Sequence, residues 1–137
     1  MVGRLTGSET LCLRLLTGRV TGFGYAAAGE GLTLSTLRVP VRRVRLDGDR
    51  ARLQTELALV SEDPADPAVL RAAERSLKRD AEALIRRCQQ LRADPFAFAD
   101  RAAARFATYE SWQAWNWRKR YARAEVEVSV TIDQGGA

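Results

Sequence analysis

The sequence predicts an α+β fold, with a small, mostly antiparallel or mixed sheet of about four strands packed against helices, in the order α-β-β-β-α-α-α-β. Strand signals cluster before residue 61 around two turns, Gly29-Glu30-Gly31 and Asp47-Gly48-Asp49. A long helical stripe follows, and an alternating Glu/Val segment near the C-terminal end returns one strand to the sheet. With 137 residues, 46% hydrophobic and 28% charged, the chain suits one soluble globular domain and argues against disorder.

Ser8 is placed to cap a first helix through Leu16, with Leu11, Leu15 and Leu16 on or near one face, and Thr17-Gly18 ends it. Residues 21–28 read as a strand weakened by Gly22 and Gly24. Residues 32–46 read as one long strand whose parity changes. Leu32 and Leu34 share a face, Leu37, Val39 and Val41 take the other, and a bulge near Ser35 would restore the core-facing set. Pro40 puts this stretch at an edge or at a break in the ladder. Residues 50–60 turn Leu53, Thr55, Leu57 and Leu59 to one face and Arg52, Gln54 and Glu56 to the other.

Asp66 as N-cap and Pro67 at the first helical position open a helix expected to reach Arg92. Its apolar stripe is Leu70, Ala73, Leu77, Ala81, Leu84, Cys88 and Leu91. Glu74, Lys78, Glu82 and Arg86 form an i,i+4 charge ladder assigned to the solvent side. Asp94 caps a third helix starting at Pro95, and Thr108 caps a fourth running through Trp112, Trp115 and Trp117. In residues 124–133, Val126, Val128, Val130 and Ile132 alternate with Glu125, Glu127, Ser129 and Thr131.

Catalytic chemistry is poorly supported. There is no histidine, which removes the commonest general base and metal ligand together with Ser-His and Cys-His nucleophiles. Cys12 and Cys88 are too few for a zinc site or a disulfide framework; each falls on a helix face where a free thiol acts as a small hydrophobe, although a single bridge is open in an oxidising compartment. No phosphate-binding glycine loop is present, and no cofactor or metal is expected. No apolar run approaches the ~18–20 residues that span a bilayer, and residues 1–16 lack the pattern of a signal peptide.

The net charge of +5 is almost entirely arginine, since Lys78 and Lys119 are the only lysines. Arg38, Arg42, Arg43, Arg45, Arg50 and Arg52 concentrate on the second hairpin. Arg118, Lys119, Arg120 and Arg123 form a second group beside Trp112, Trp115, Trp117 and Tyr121. Interleaved cations and aromatics suit single-stranded nucleic acid or anionic headgroups. The simpler account is a solvated sheet face and a tryptophan cluster anchoring the last helix, and it outweighs any specific ligand.

Ala93-Asp94-Pro95-Phe96-Ala97-Phe98, then Trp112 and Trp117, then the Glu/Val strand ending near Gly135 or Gly136, is similar to the Ger(x)C spore-germination family. Gly3-Arg4-Leu5-Thr6-Gly7-Ser8-Glu9 and Leu15-Leu16-Thr17-Gly18-Arg19-Val20 resemble the opening of the same C-terminal domain. Ala97 and Ala99 depart from that pattern, standing where it has glycines, and affect packing density at a helix start. The resemblance implies a non-enzymatic module of a germinant-receptor C subunit. It also implies integral-membrane A and B subunits as partners, and a place on the outer face of the spore inner membrane, held by a lipid anchor. The lipoprotein signal and upstream domains would precede these residues, making them an excised C-terminal domain. The candidate interaction surface is Trp112, Trp115, Trp117, Arg118, Lys119 and Arg120. Asp94 and Phe96 hold the helix start rather than a ligand. The alternative is a small basic nucleic-acid-binding domain using the arginine hairpin; direct recognition of a small nutrient has little support.

Overall fold

In the computed structural model, residues 7–19, 21–48 and 50–135 are described, with Gly7 and Ser8 as backbone alone. The elements are α1 (Gly7–Leu16), β1 (Gly22–Ala27), β2 (Glu30–Thr36), β3 (Val41–Asp47) and β4 (Arg50–Ser61). They continue with α2 (Pro67–Gln90), α3 (Phe98–Ala103), α4 (Tyr109–Ala114), α5 (Trp117–Arg123) and β5 (Glu125–Gln134). The α+β class and the mixed sheet stand, with five strands. α1 begins at Gly7, so Ser8 lies inside the helix instead of capping it. The opening motif at residues 3–6, Val20 and Asp49 lies outside the described residues.

β4 is the spine of the sheet. One edge pairs antiparallel with β2 at Leu34–Thr36 and with β3 at Val41–Asp47; β5 pairs parallel along the other edge, Arg52 with Glu125 through Ser61 with Gln134. Among the described residues β1 pairs only with β2, through the turn at Gly29. The 24-residue α2 packs against β5 and β1, and after it the chain re-enters the sheet parallel to β4.

The long strand expected over 32–46 is two strands in line. Thr36 pairs with Leu59 and Val41 with Glu56, so five residues advance on one side against three on the other. The Leu37 amide still donates to the Ala58 carbonyl at 2.9 Å, so the break falls at residues 38–40, where Pro40 has no amide to donate. The expected bulge at Ser35 is therefore displaced. Because the insertion is two residues, parity is conserved instead of switched. Leu34 and Val44 are buried on the core face, whereas Leu37 and Val39 point to solvent at 53% and 77% exposure.

The core lies between α2 and the face of the sheet carrying Leu53, Thr55, Leu57, Leu59, Val128 and Ile132. α2 starts as expected: the Asp66 carboxylate accepts the Ala68 amide at 2.9 Å and Pro67 leads the first turn. It ends at Gln90, two residues short of expectation, because Arg92 takes φ 56°. Leu70, Ala73, Leu77, Ala81, Leu84 and Cys88 are buried as the stripe required; Leu91 is half-buried.

The charge ladder divides: Lys78 and Arg86 are exposed as expected, but the two glutamates turn to the edge of β5. Glu74 accepts the Ile132 amide at 2.8 Å and Glu82 the Val128 amide at 3.4 Å, while Arg71 donates to the Ile132 carbonyl. The glutamates are eight residues apart on the helix, about 12 Å. Val128 and Ile132 are four apart on the strand, about 13 Å. The matched spacing lets α2 satisfy the outer backbone groups of an edge strand. At the end of β5, the Gly135 amide reaches the Ser61 carbonyl at 2.8 Å, and a Cβ there would collide with that oxygen and with Val60.

Asp94 works from further back than expected. The helix starts at Phe98 instead of Pro95, because Ala97 is left-handed at φ 57° and breaks the helical run. The carboxylate spans that turn, accepting the amides of Phe98 at 3.0 Å and Ala99 at 2.8 Å. Phe96 and Phe98, both fully buried, meet edge to face at 5.9 Å. The fourth helix is likewise two, α4 and α5, parted by Asn116 at φ 55°.

Candidate functional site

Thr108 caps α4, accepting the Ser111 amide at 3.1 Å, and this fixes where Trp112 and Trp115 project. The left-handed step at Asn116 then turns the chain so that Trp117 lies back over both of them. Trp115 and Trp117 stack at 6.2 Å, Trp112 and Trp117 lie 5.9 Å apart, and Trp117 and Tyr121 lie 5.5 Å apart. Phe106, at 5.5 Å from Trp112 and Trp115, closes the group. All three tryptophans are half-buried and pack against the core.

The opposite side of α5 is fixed by buried polar bonds. The Gln89 amide, itself 7% exposed, donates to the carbonyls of Tyr121 at 2.8 Å and Ala124 at 3.0 Å. The Tyr121 hydroxyl donates to the Ala93 carbonyl at 2.6 Å. Burial pushes that phenol well above its ordinary range, with the Asp94 carboxylate adding in the same direction.

The six residues proposed from the sequence thus divide by role. Trp112, Trp115 and Trp117 form a platform. Arg120 belongs to it: its guanidinium sits 4.5 Å over the Trp115 ring, and its Nε donates to the Trp115 carbonyl. Arg118 and Lys119 are exposed.

The two basic groups of the sequence meet here in part. Arg50, at the start of β4, faces Lys119, Arg120 and Arg123 of α5 across a cleft of about 560 Å³, also lined by Ala51, Asn116 and Glu125. Arg52 bonds Glu125 at 3.2 Å. The rest of the hairpin arginines go elsewhere. Arg43 and Arg45 lie exposed on the open sheet face, and Arg38 is exposed at the break between β2 and β3. Arg42 faces inward beside Thr55, where burial lowers its pKa and the Arg101 guanidinium adds to the effect. The convergence of Arg50 with Lys119 and Arg123 has no signal in the sequence, since it depends on the parallel return of β5 beside β4.

Among the described residues, no three histidine, cysteine, aspartate or glutamate side chains gather to hold a metal ion. Cys12 and Cys88 are both free thiols and buried. Among the described residues, no helix is long and apolar enough to cross a membrane.

Known proteins agree with this architecture. The structure is similar to the crystal structure of the GerBC protein, with a TM-score of 0.75 over 98% of this chain and 47% of that one; at 14% identity this is a likeness of fold. Over 70 residues the sequence is 37% identical to YfkR of Bacillus subtilis (strain 168), whose name assigns it to spore germination. That match takes in 50% of this chain and 18% of YfkR, so the chain spans less than half of either relative. Residues 1–136 match the family described as spore germination B3/GerAC-like, C-terminal. With nearly every residue inside that match, the chain belongs to the GerAC-like family of spore-germination proteins, the germinant-receptor C-like family.

Proposed function

We propose that residues 1–137 are the C-terminal domain of a germinant-receptor C subunit and act as a non-catalytic interaction module in nutrient-triggered spore germination. Its partners are the integral-membrane A and B subunits, on the outer face of the spore inner membrane, where a lipid anchor upstream of these residues holds the protein. The observation that carries this reading is the tract Trp112–Arg120. It is a rigid aromatic platform with Arg118 and Lys119 displayed outward on a helix pinned from behind by Gln89 and Tyr121. Aromatic anchors beside exposed cations, held in one conformation before binding, are the composition of a protein-docking surface, and rigidity lowers the ordering cost of association.

The test uses the full-length protein in spores. Arg118→Glu, at an exposed site, should lower co-purification of the A and B subunits several-fold and slow nutrient-triggered release of dipicolinic acid. Removing the whole domain should abolish both. Undiminished recovery of the two subunits without the domain would overturn the proposal.

A further inference from the structure

The cleft between α5 and the start of β4 has a charge balance that the aromatic platform does not explain. Lys119 and Arg123 are four residues apart on α5 and project from the same side of the helix. Arg50 stands on the opposite wall. All three are exposed, and among the described residues none has an ion-pair partner. Among the described residues, the only carboxylate lining the cleft, Glu125, is already bonded to Arg52 at 3.2 Å. Ala51, 3% exposed, is the one apolar side chain among the described residues that line it.

Like charges around a concavity repel one another and focus a positive potential into it. The Gln89 and Tyr121 bonds fix α5 against the core, so the backbone positions from which Lys119 and Arg123 project are set. Guanidinium groups also match tetrahedral oxyanions geometrically. We propose that this cleft binds an anionic group of the phosphate class, either free in solution or carried as the headgroup of an anionic lipid. Arg50, Lys119 and Arg123 are the ligating side chains. Lys119 borders both surfaces, but Arg118 does not line the cleft and Arg50 and Arg123 lie outside the docking tract, so variants at these three separate subunit docking from anion binding.

The test takes the 137-residue chain at ~0.15 M salt, where exposed charges more than about 8 Å apart are screened. Sedimentation with vesicles of phosphatidylglycerol and phosphatidylcholine is compared with phosphatidylcholine alone, and amide shifts are followed during titration with inorganic phosphate and pyrophosphate. Lys119→Glu with Arg123→Glu should weaken binding about tenfold or more. Arg43→Glu with Arg45→Glu, the same charge change on the open sheet face, should change it less than about twofold. Arg50→Glu, on the other wall, guards against a local effect on α5. Shifts around the cleft with free phosphate assign a soluble anion, and cleft-dependent sedimentation without them assigns a headgroup. Equal losses in the cleft and sheet-face variants, no binding to any probe, or preferred binding of a single-stranded oligonucleotide through these residues would each overturn the proposal.

Discussion

Ala97 sits at φ 57°, where its Cβ crowds the following carbonyl oxygen, at a cost of roughly 1–2 kcal/mol relative to ordinary backbone. Ala99, two residues on, is inside α3 with helical geometry. The resemblance led to an expectation of glycine at both positions, yet the two have opposite requirements. Ala97→Gly should stabilise the chain by about 0.5–1 kcal/mol, because glycine's own entropy cost offsets part of the relief. Ala99→Gly should cost up to about 1 kcal/mol, the helix-interior penalty being its upper bound in a first turn. Urea denaturation of the two variants reads both, and a destabilised Ala97→Gly would contradict the strain assigned to this turn. The sequence marked both alanines as departures but treated them alike as packing positions. Asp94 was legible as a cap; the reach of its carboxylate over an intervening left-handed turn was not, since nothing in Pro95-Phe96-Ala97 announces a positive φ at an alanine.

At the scale of elements, α2 and β5 depend on one another through backbone groups that an edge strand would otherwise leave to water. Glu74 and Glu82 side chains are only 15% and 16% exposed, and each carries a cation, Arg71 at 3.2 Å and Lys78 at 3.4 Å. Glu74→Ala should cost about 1.5–3 kcal/mol, the range for a hydrogen bond to a charged group. Glu82→Ala should cost less, because 3.4 Å is long for such a bond. Amide exchange at Ile132 should accelerate in the first variant; protection at wild-type level there would remove the edge-sealing role. A charged row beside an apolar stripe has the same period whether it borders water or a strand edge, so the sequence could place these residues on the helix but not say what they face. The same limit governs β2 and β3. Pro40 flagged a break, yet the number of inserted residues decides which side chains turn inward, and that number is set by pairing with β4.

Across the whole molecule, α1 and α2 contribute a thiol each to one core cluster. Burial raises Cys12 from 9.0 to about 12 and Cys88 to about 11, with nearby carboxylates adding to both. The unfolded chain releases these protons near pH 9 while the folded chain keeps them, so stability is fully present below pH 9 and falls as pH rises toward 11–12. Urea midpoints should therefore decline between about pH 9 and 11, and thiol reagents should label the folded protein slowly at neutral pH and the unfolded chain at once. A flat profile or immediate labelling would place the thiols at the surface. The sequence reading of both as buried apolar side chains agrees with this environment. The α+β class was legible as well, from strand signals before the long helix and one strand after it. The direction of that last strand, and with it the meeting of Arg50 with Lys119 and Arg123, depends on contacts far apart in sequence that no local pattern encodes.

The position of β4 between an antiparallel and a parallel neighbour also sets a schedule. On the ribosome, β1 through β4 emerge together, but the partner for the second edge of β4 follows the whole of α2 to α5. At about 5–20 residues per second, Leu57-Ala58-Leu59-Val60 waits several seconds with that edge unpaired. During that interval the nascent chain offers an apolar strand to any neighbour able to pair with it, and the risk of misassembly in a crowded cell is greatest before β5 arrives.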